Sequence, residues 1–237
     1  MHTLVDFMIV TKGIEYIIAV VFLFAFIAFW HFVTSVPAPQ YERIGLAEMA
    51  RRIGDRIGGF LLPDQLYFHP GHTWAAVDTR DMVTVGIDDF AQKLIGKVNA
   101  VKLPQVGSTI RQGETAWELQ VDSKTIPMLA PVDGKVVAIN KDILGSPDGI
   151  NGDSYGSGWL VKVHSPRLSA NLKNLLSGRL AKRWIEDTSA QLFSRMNNYN
   201  IGLALQDGGV LVDGIAKNLA PESWDELTKE FFLTAEE

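Results

Sequence analysis

Two histidines are the best candidates for metal ligands in this sequence, which contains no cysteine. His69 and His72 lie three residues apart around a Pro-Gly turn, and two imidazoles without a third ligand rarely hold zinc. The absence of cysteine excludes disulfides, thiolate metal sites and cysteine nucleophiles. No Ser/His/Asp order, phosphate-binding glycine loop or metal-ligand cluster is evident. The sequence therefore predicts a protein that is not an enzyme and that has no metal site.

Composition and charge indicate a folded protein whose partners are not nucleic acids. Of the 237 residues, 47% are apolar and 21% are charged, which is ordinary for a globular chain. The formal net charge is −5, and no long run of Lys or Arg occurs. Such a chain lacks the basic footprint that nucleic-acid binding requires.

An uncharged apolar run near the N-terminus predicts a transmembrane helix. The run extends from Tyr16 to Val33, and a helix of that length is about 27 Å long, close to the thickness of a bilayer's hydrocarbon core. The nearest small-residue site, Val36–Ala38, is followed by Pro39, which disfavours cleavage of a signal peptide. We therefore assign residues 1–35 to a tail and a retained anchor, with the lipid bilayer as one partner.

Basic residues are distributed unequally around the predicted span. Lys12 alone precedes it, whereas Arg43, Arg51, Arg52 and Arg56 follow it. Because positive charge near a span favours the cytoplasmic side, the sequence predicts a single-pass protein of the cytoplasmic (inner) membrane with its C-terminal part in the cytoplasm.

Residues 36–62 form a predicted linker with a basic amphipathic helix. Val36–Gln40 is rich in proline and cannot continue the preceding helix. Tyr41–Ile57 places apolar residues at helical spacing, with most arginines between them. The pattern fits a helix on the membrane surface and equally a helix packed on the following domain.

Short β-type runs dominate the region from Tyr67 to Val163. Gly, Pro, Asp and Asn separate these runs, which predicts a compact barrel or sandwich. Asp88–Ile95 interrupts the strands with a short helical segment. The predicted strands are TWAAV, MVTVGI, AVKL, AWELQV, PMLAPV, GKVVAI and GWLVKV.

Helical patterns return after the β region and lead into an α+β extension over residues 179–237. Helices are predicted over Ser165–Leu180 and Lys182–Met196. Strands are predicted over Ile201–Leu205 and Val210–Ile215, and Pro221 favours the start of a last helix.

Apolar side chains in that last helix predict that the extension is packed. Trp224 and Phe231 are large and lie at helical spacing. We expect them to cover the β region or a partner.

Residues Tyr67–Gly178 resemble the H proteins of the glycine cleavage system in motif order and spacing. The resemblance implies a barrel-sandwich hybrid over residues 63–178, within a chain that is mainly β with α. It also implies a non-catalytic domain with a lipoate-bearing lysine at the tip of a hairpin. The matching motifs are His72-Thr73-Trp74, Val85-Gly86-Ile87-Asp88-Asp89-Phe90-Ala91, Leu94-Ile95-Gly96, Leu103-Pro104-Gln105-Val106-Gly107, Ala130-Pro131-Val132-Asp133-Gly134-Lys135-Val136-Val137, Asn140, Ile150-Asn151, Tyr155 and Gly158-Trp159-Leu160.

The segment at the expected tip departs from the family pattern. The family reads Glu-Ser-x-Lys-Ala, and this chain has ELQVDSKT over Glu118–Thr125. Counting without gaps, forward from Gly107 or backward from Ala130, places the lysine slot on Ser123, one residue before Lys124. A shift of one residue in a hairpin turns a side chain to the other face. Lys124 remains the candidate lipoyl site and lipoate the candidate cofactor, and the alternative is an ordinary solvated lysine on a turn.

Two functions follow from the anchor, the resemblance and the shifted lysine. The first is a non-catalytic accessory subunit that docks on subunits of a membrane-bound complex, such as a redox complex, at the cytoplasmic face. The second is a lipoyl carrier, in which Lys124 bears lipoate and shuttles electrons or an acyl or aminomethyl group to a membrane-associated enzyme. The modification state of Lys124 distinguishes the two functions.

Overall fold

The computed structural model describes Tyr16 and residues 18–27, 29–30, 54–198, 211 and 213–235, in two units that divide at residues 43 and 44. In the first unit, residues 18–27 are helical, and the large apolar side chains described there are between 49% and 73% exposed. Within the described ranges, no helix is both long and apolar enough to cross a bilayer. Residues 17, 28 and 31–33 of the predicted span lie outside those ranges.

A two-stranded hairpin opens the described part of the second unit. Strands β1 (Gly54–Ile57) and β2 (Phe60–Pro63) pair antiparallel around Gly58 and Gly59, whose φ angles of 57° and 85° are the left-handed values that glycine tolerates. The predicted helix over Tyr41–Ile57 is therefore wrong at its C-terminal end, because the glycine pair closes a hairpin there. Residues 41–53 of that prediction lie outside the described residues.

The larger sheet has six strands and provides most of the β domain. The strands are β3 (Tyr67–His69), β4 (Thr73–Val77), β5 (Met82–Ile87), β7 (Thr109–Ile110), β10 (Gly134–Ile139) and β11 (Val161–His164). In spatial order the sheet reads β3-β4-β5-β11-β10-β7. Its buried side chains include Val83, Val85 and Val163, and β11 pairs antiparallel with β5 so that Val163 lies opposite Val83.

A three-stranded sheet carries the hairpin of interest. It consists of β6 (Ala100–Lys102), β8 (Thr115–Val121) and β9 (Lys124–Leu129), in the order β6-β8-β9. Successive side chains of a strand point to opposite faces, and the buried face of β8 belongs to the same hydrophobic core as the six-stranded sheet. The mainly β character with added helices is confirmed.

Helices connect and cover the sheets. The predicted helix over Ser165–Leu180 is wrong as a single element, because a 3₁₀ turn at Leu172–Asn174 and an extended Leu175 interrupt it. The second predicted helix, Lys182–Met196, lies inside α5. The helices are α1 (Asp89–Ile95), α2 (Lys141–Gly145), α3 (Asp148–Gly152), α4 (Leu168–Asn171), α5 (Gly178–Asn198), α6 (Ile215–Leu219) and α7 (Trp224–Phe231).

The C-terminal extension differs from its predicted strands. Ile215, predicted to end a strand, begins helix α6, while residues 201–210 and 212 of the predicted hairpin lie outside the described residues. Gly214 explains the change, because its N–H donates to the Lys93 carbonyl at 2.8 Å. Its Cα also lies so close to Gly96 that a Cβ on Gly96 would be 2.9 Å from it. This close approach docks the chain on α1 and directs it into a helix. The last helix begins at Trp224, three residues after Pro221.

Candidate functional site

The turn between β8 and β9 is tight and is held by a neighbouring side chain. Val121 pairs with Lys124, so Asp122 and Ser123 alone form the turn. Asp122 has a φ of 52°, in the left-handed region that aspartate tolerates better than most residues. Its backbone N–H donates to Asn99 Oδ1 at 2.6 Å. The turn therefore presents Ser123, an exposed residue, at the tip of the hairpin.

Lys124 is the first residue of β9 and does not belong to the turn. Because side chains of a strand alternate with a period of two, Lys124 shares a face with Ile126, which is fully buried. Val121, its cross-strand partner, is buried on that same face. The Lys124 side chain is 38% exposed. The amine thus leaves the hairpin beside the tip, on the face that adjoins the core.

Two ion pairs join the hairpin tip to the C-terminal helices, and the tip supplies the amine in one and the carboxylate in the other. Lys124 Nζ lies 3.0 Å from Asp225 Oδ1 on α7, and Lys217 Nζ on α6 lies 2.5 Å from Asp122 Oδ2. The Lys217 amine also lies 5.3 Å from the centroid of the Trp224 ring, within cation–π range. The tip and the C-terminal segment therefore meet through matched, reciprocal charges.

The Lys124 contact has an electrostatic signature in its carboxylate partner. The hydrogen bond from Lys124 is the largest cause that lowers the pKa of Asp225 below its ordinary value. A carboxyl group with a depressed folded-state pKa stabilises the fold at pH values above its unfolded pKa, about 3.9. That contribution disappears as the pH falls through the lower folded-state pKa. The contact is therefore complete at neutral pH.

Apolar packing fixes the C-terminal segment beneath these ion pairs. Trp224 and Phe231 are 5% and 8% exposed, so the predicted burial of both side chains is confirmed. The Phe231 ring lies 5.4 Å from that of Phe90 on α1, and the Phe232 ring lies 5.9 Å from the imidazole of His72. The segment from Asp213 to Ala235, called the C-terminal cover below, is part of the folded core.

The two histidines noted in the sequence have structural partners. His72 Nδ1 lies 2.8 Å from Asp88 Oδ2, and both side chains are 1% exposed. The His72 ring stacks on Phe90 at 4.2 Å between centroids. His69 Nδ1 accepts the backbone N–H of Gly71 at 3.0 Å, and burial lowers the pKa of His69. In the described part of the chain, no three His, Asp or Glu side chains form a group that could hold a metal ion.

A cavity of about 800 Å³ lies beside α1 and α3, and several of the polar groups that line it bond to one another. Lys93 Nζ donates to Asp89 Oδ1 at 2.5 Å, and the other Asp89 oxygen accepts the Leu61 N–H at 2.7 Å. The Tyr155 hydroxyl donates to the Leu61 carbonyl at 2.7 Å, and burial together with Asp88 and Asp89 raises its pKa well above the ordinary value. These groups hold β2 against α1.

A two-sheet scaffold that presents a tight hairpin is the architecture of lipoyl-type domains. In such domains the protein positions the cofactor and is recognised by partners, while the cofactor performs the chemistry. The family profile described as "Glycine cleavage H-protein" matches residues 66–188 of this chain. The chain belongs to the glycine cleavage H-protein family. The family carries lipoate, and its members act as carriers.

Two relatives of known sequence agree with this assignment. The chain is 40% identical over 103 residues to the "Glycine cleavage system H protein" of Mycobacterium leprae (strain TN), covering 44% of this chain and 78% of that protein. It is 40% identical over 117 residues to the protein of the same name from Mycolicibacterium smegmatis, covering 48% and 89%. A crystal structure of a glycine cleavage system H protein from Mycobacterium marinum matches with 30% identity and a TM-score of 0.42, covering 44% of this chain and 87% of that one.

Sequence reasoning missed the partners of the hairpin tip. Lys217 and Asp225 follow the family match, which ends at residue 188, and neither was singled out. A signal does exist in hindsight, because Asp122 and Lys124 present two opposite charges that a folded extension can match. Nothing local in the sequence indicates which of the 22 basic and 27 acidic residues supply that match.

Proposed function

We propose that this chain is a non-catalytic, membrane-anchored member of the H-protein family that serves as an accessory subunit. It docks on subunits of a membrane-bound complex, such as a redox complex, at the cytoplasmic face. In this proposal the family scaffold is retained for binding, and the hairpin does not carry a swinging arm.

One observation carries this proposal: the exposed turn presents Ser123, while the amine of Lys124, the lysine of this hairpin, is paired with Asp225. A hydroxyl group cannot form the amide that joins lipoate to a lysine. Lys124 lies at the base of the turn and its amine contacts Asp225 at 3.0 Å. As arranged, these residues do not fit a lipoyl group that must project freely from the tip.

Substitution of the candidate lysine tests the scaffold role. Lys124→Arg keeps the positive charge and the ion pair with Asp225 but removes the one lysine within Thr115–Leu129, the hairpin of β8 and β9. We expect native complexes containing this chain to keep their size and abundance on a native gel, with no loss of the activity that depends on them. Loss of that activity with the complex still assembled would instead support the carrier.

The N-terminal segment supports a membrane location. The described helical residues 18–27 are apolar on every side, and their large side chains are exposed. Such a surface is stable in contact with lipid and unfavourable in water. The excess of arginines after Tyr16–Val33 favours the cytoplasmic orientation.

Protease protection tests this orientation. We expect a protease added to intact spheroplasts to leave residues 54–235 uncut and to digest loops in that region once the cells are opened. Digestion in intact spheroplasts would reverse the orientation, and recovery of the chain in the soluble fraction would exclude the anchor.

The second candidate is a lipoyl carrier that serves a membrane-associated enzyme. Its support is the family membership and the position of Lys124, which directly follows the turn in sequence and is 38% exposed. In this alternative the amine would leave Asp225 before modification. A freely diffusing shuttle for glycine cleavage is disfavoured, because an anchored protein cannot visit several soluble enzymes.

A further inference from the structure

Charge placement at the hairpin tip sets it apart from the other surface ion pairs. The tip offers a carboxylate on Asp122 and an amine on Lys124, and the C-terminal cover meets them with the opposite charges of Lys217 and Asp225. Both contacts join the same two parts of the chain. Either pair alone would be an ordinary surface contact, whereas two reciprocal pairs select one relative position of the two parts.

The partners supplied by the C-terminal cover are more enclosed than the tip charges. Asp225 and Lys217 are 17% and 29% exposed, against 38% for Lys124 and 61% for Asp122. The short side chain of Asp225 is positioned by α7, and the Lys217 amine lies over the Trp224 ring. The charges of the tip therefore pair with two side chains, Asp225 and Lys217, that the C-terminal cover already holds in position.

We propose that the C-terminal cover is an intramolecular latch, in which these two ion pairs close it over the hairpin tip and withhold the Lys124 amine from acylating reagents and from partners of the tip. The latch opens locally, near α6 and the start of α7, while Phe231 and Phe232 keep the segment attached to the core. This inference extends the proposed function and does not depend on the membrane anchor.

Acylation of Lys124 in the full-length, detergent-solubilised chain tests the latch. N-hydroxysuccinimidyl acetate is the probe: the unprotonated amine attacks the ester carbonyl, the N-hydroxysuccinimide anion leaves, and the amine proton passes to solvent. Mass spectrometry of peptides gives the rate at each lysine. Lys97 is the internal reference in the same sample, because its side chain is 72% exposed and its partner Asp148 lies outside the C-terminal cover.

Lys217→Gln is the decisive variant because it breaks the pair with Asp122 and leaves the separate pair between Lys124 and Asp225 intact. The substitution leaves both partners of the Lys124–Asp225 pair in place, so a cover held by other contacts would keep the Lys124 rate unchanged. A latch predicts a rate at Lys124 about two- to fivefold higher, which is the effect expected from losing one exposed ion pair. Asp225→Asn should raise the rate at least as much.

Glu226→Gln is the matched control, since Glu226 lies next to Asp225 on α7 and is exposed. It should leave the Lys124 rate unchanged. An unchanged or lower Lys124 rate in Lys217→Gln would overturn the latch, as would an equal rise at Lys97. These outcomes are independent of the proposed function, whose failure would be shown by lipoate on Lys124 of the native protein.

Discussion

Exchanging Ser123 and Lys124 converts the hairpin into a substrate for lipoylation. The double variant Ser123→Lys, Lys124→Ser has the same composition as the natural chain but places the amine on the exposed turn. A ligase that modifies such domains recognises a lysine by its position on a rigid hairpin, so a displacement of one residue decides the outcome. We expect the lipoylated fraction to rise at least about tenfold, to most of the protein, when both chains are incubated with a lipoate ligase, lipoate and ATP; tenfold corresponds to about 1.4 kcal/mol.

Lys124→Ser alone separates the two effects of this exchange. It removes the ion pair with Asp225 as the double variant does, but it leaves no lysine at the tip. This control should remain unmodified at the hairpin. Efficient lipoylation of the natural chain at Lys124, equal to that of the double variant, would show that the position of the lysine does not limit the reaction.

The other large effect is expected at the end of the C-terminal cover. Phe232 is fully buried and packs on His72, while its carbonyl oxygen lies where a Cβ on Gly71 would meet it at 2.7 Å. Phe232→Ala removes a fully buried ring and leaves a cavity in the core. The free energy of unfolding should fall by about 3–5 kcal/mol, measured by chemical denaturation in detergent.

Leu233→Ala is the matched control for this substitution. Leu233 is the adjacent residue, and 56% of it is exposed, so the change should cost less than about 0.5 kcal/mol. Equal stability of the natural chain and Phe232→Ala would mean that the C-terminal cover is not part of the cooperative fold.

Local patterns in the sequence predicted the central strands well. The runs Thr73–Val77, Met82–Ile87 and Gly134–Ile139 match β4, β5 and β10 residue for residue. Alternation, β-branched side chains and flanking turn residues are properties of each segment alone, so they can be recognised without the rest of the fold. The resemblance to the H proteins added their arrangement.

Elements that depend on distant contacts were not predicted. The backbone of Gly214 meets Gly96 on α1, and this contact turns a predicted strand into the approach to α6. The hairpin β1–β2 depends similarly on Gly58, over which the Ser189 side chain packs so closely that a Cβ would lie 2.6 Å away. Such contacts join parts of the chain far apart in sequence, and local propensity does not report them.

At the candidate site, the ungapped count from the flanking motifs predicted the tip residue better than the small, polar character of the segment did. The ungapped count placed Ser123 at the tip, and the turn consists of Asp122 and Ser123. The small, polar character of the segment drew attention to Lys124, which lies in β9. Its contact with Asp225 could not be foreseen, because that residue lies beyond the region that resembles the family.

The intact mass of the chain purified from its native cells decides whether the hairpin carries lipoate. Peptide mapping of the same sample would locate any added group between Thr115 and Leu129, the hairpin of β8 and β9. We expect an unmodified Lys124 and a hairpin peptide whose mass is that of its amino-acid sequence. A lipoyl increment mapped to Lys124 would contradict the accessory-subunit proposal and establish the carrier in its place.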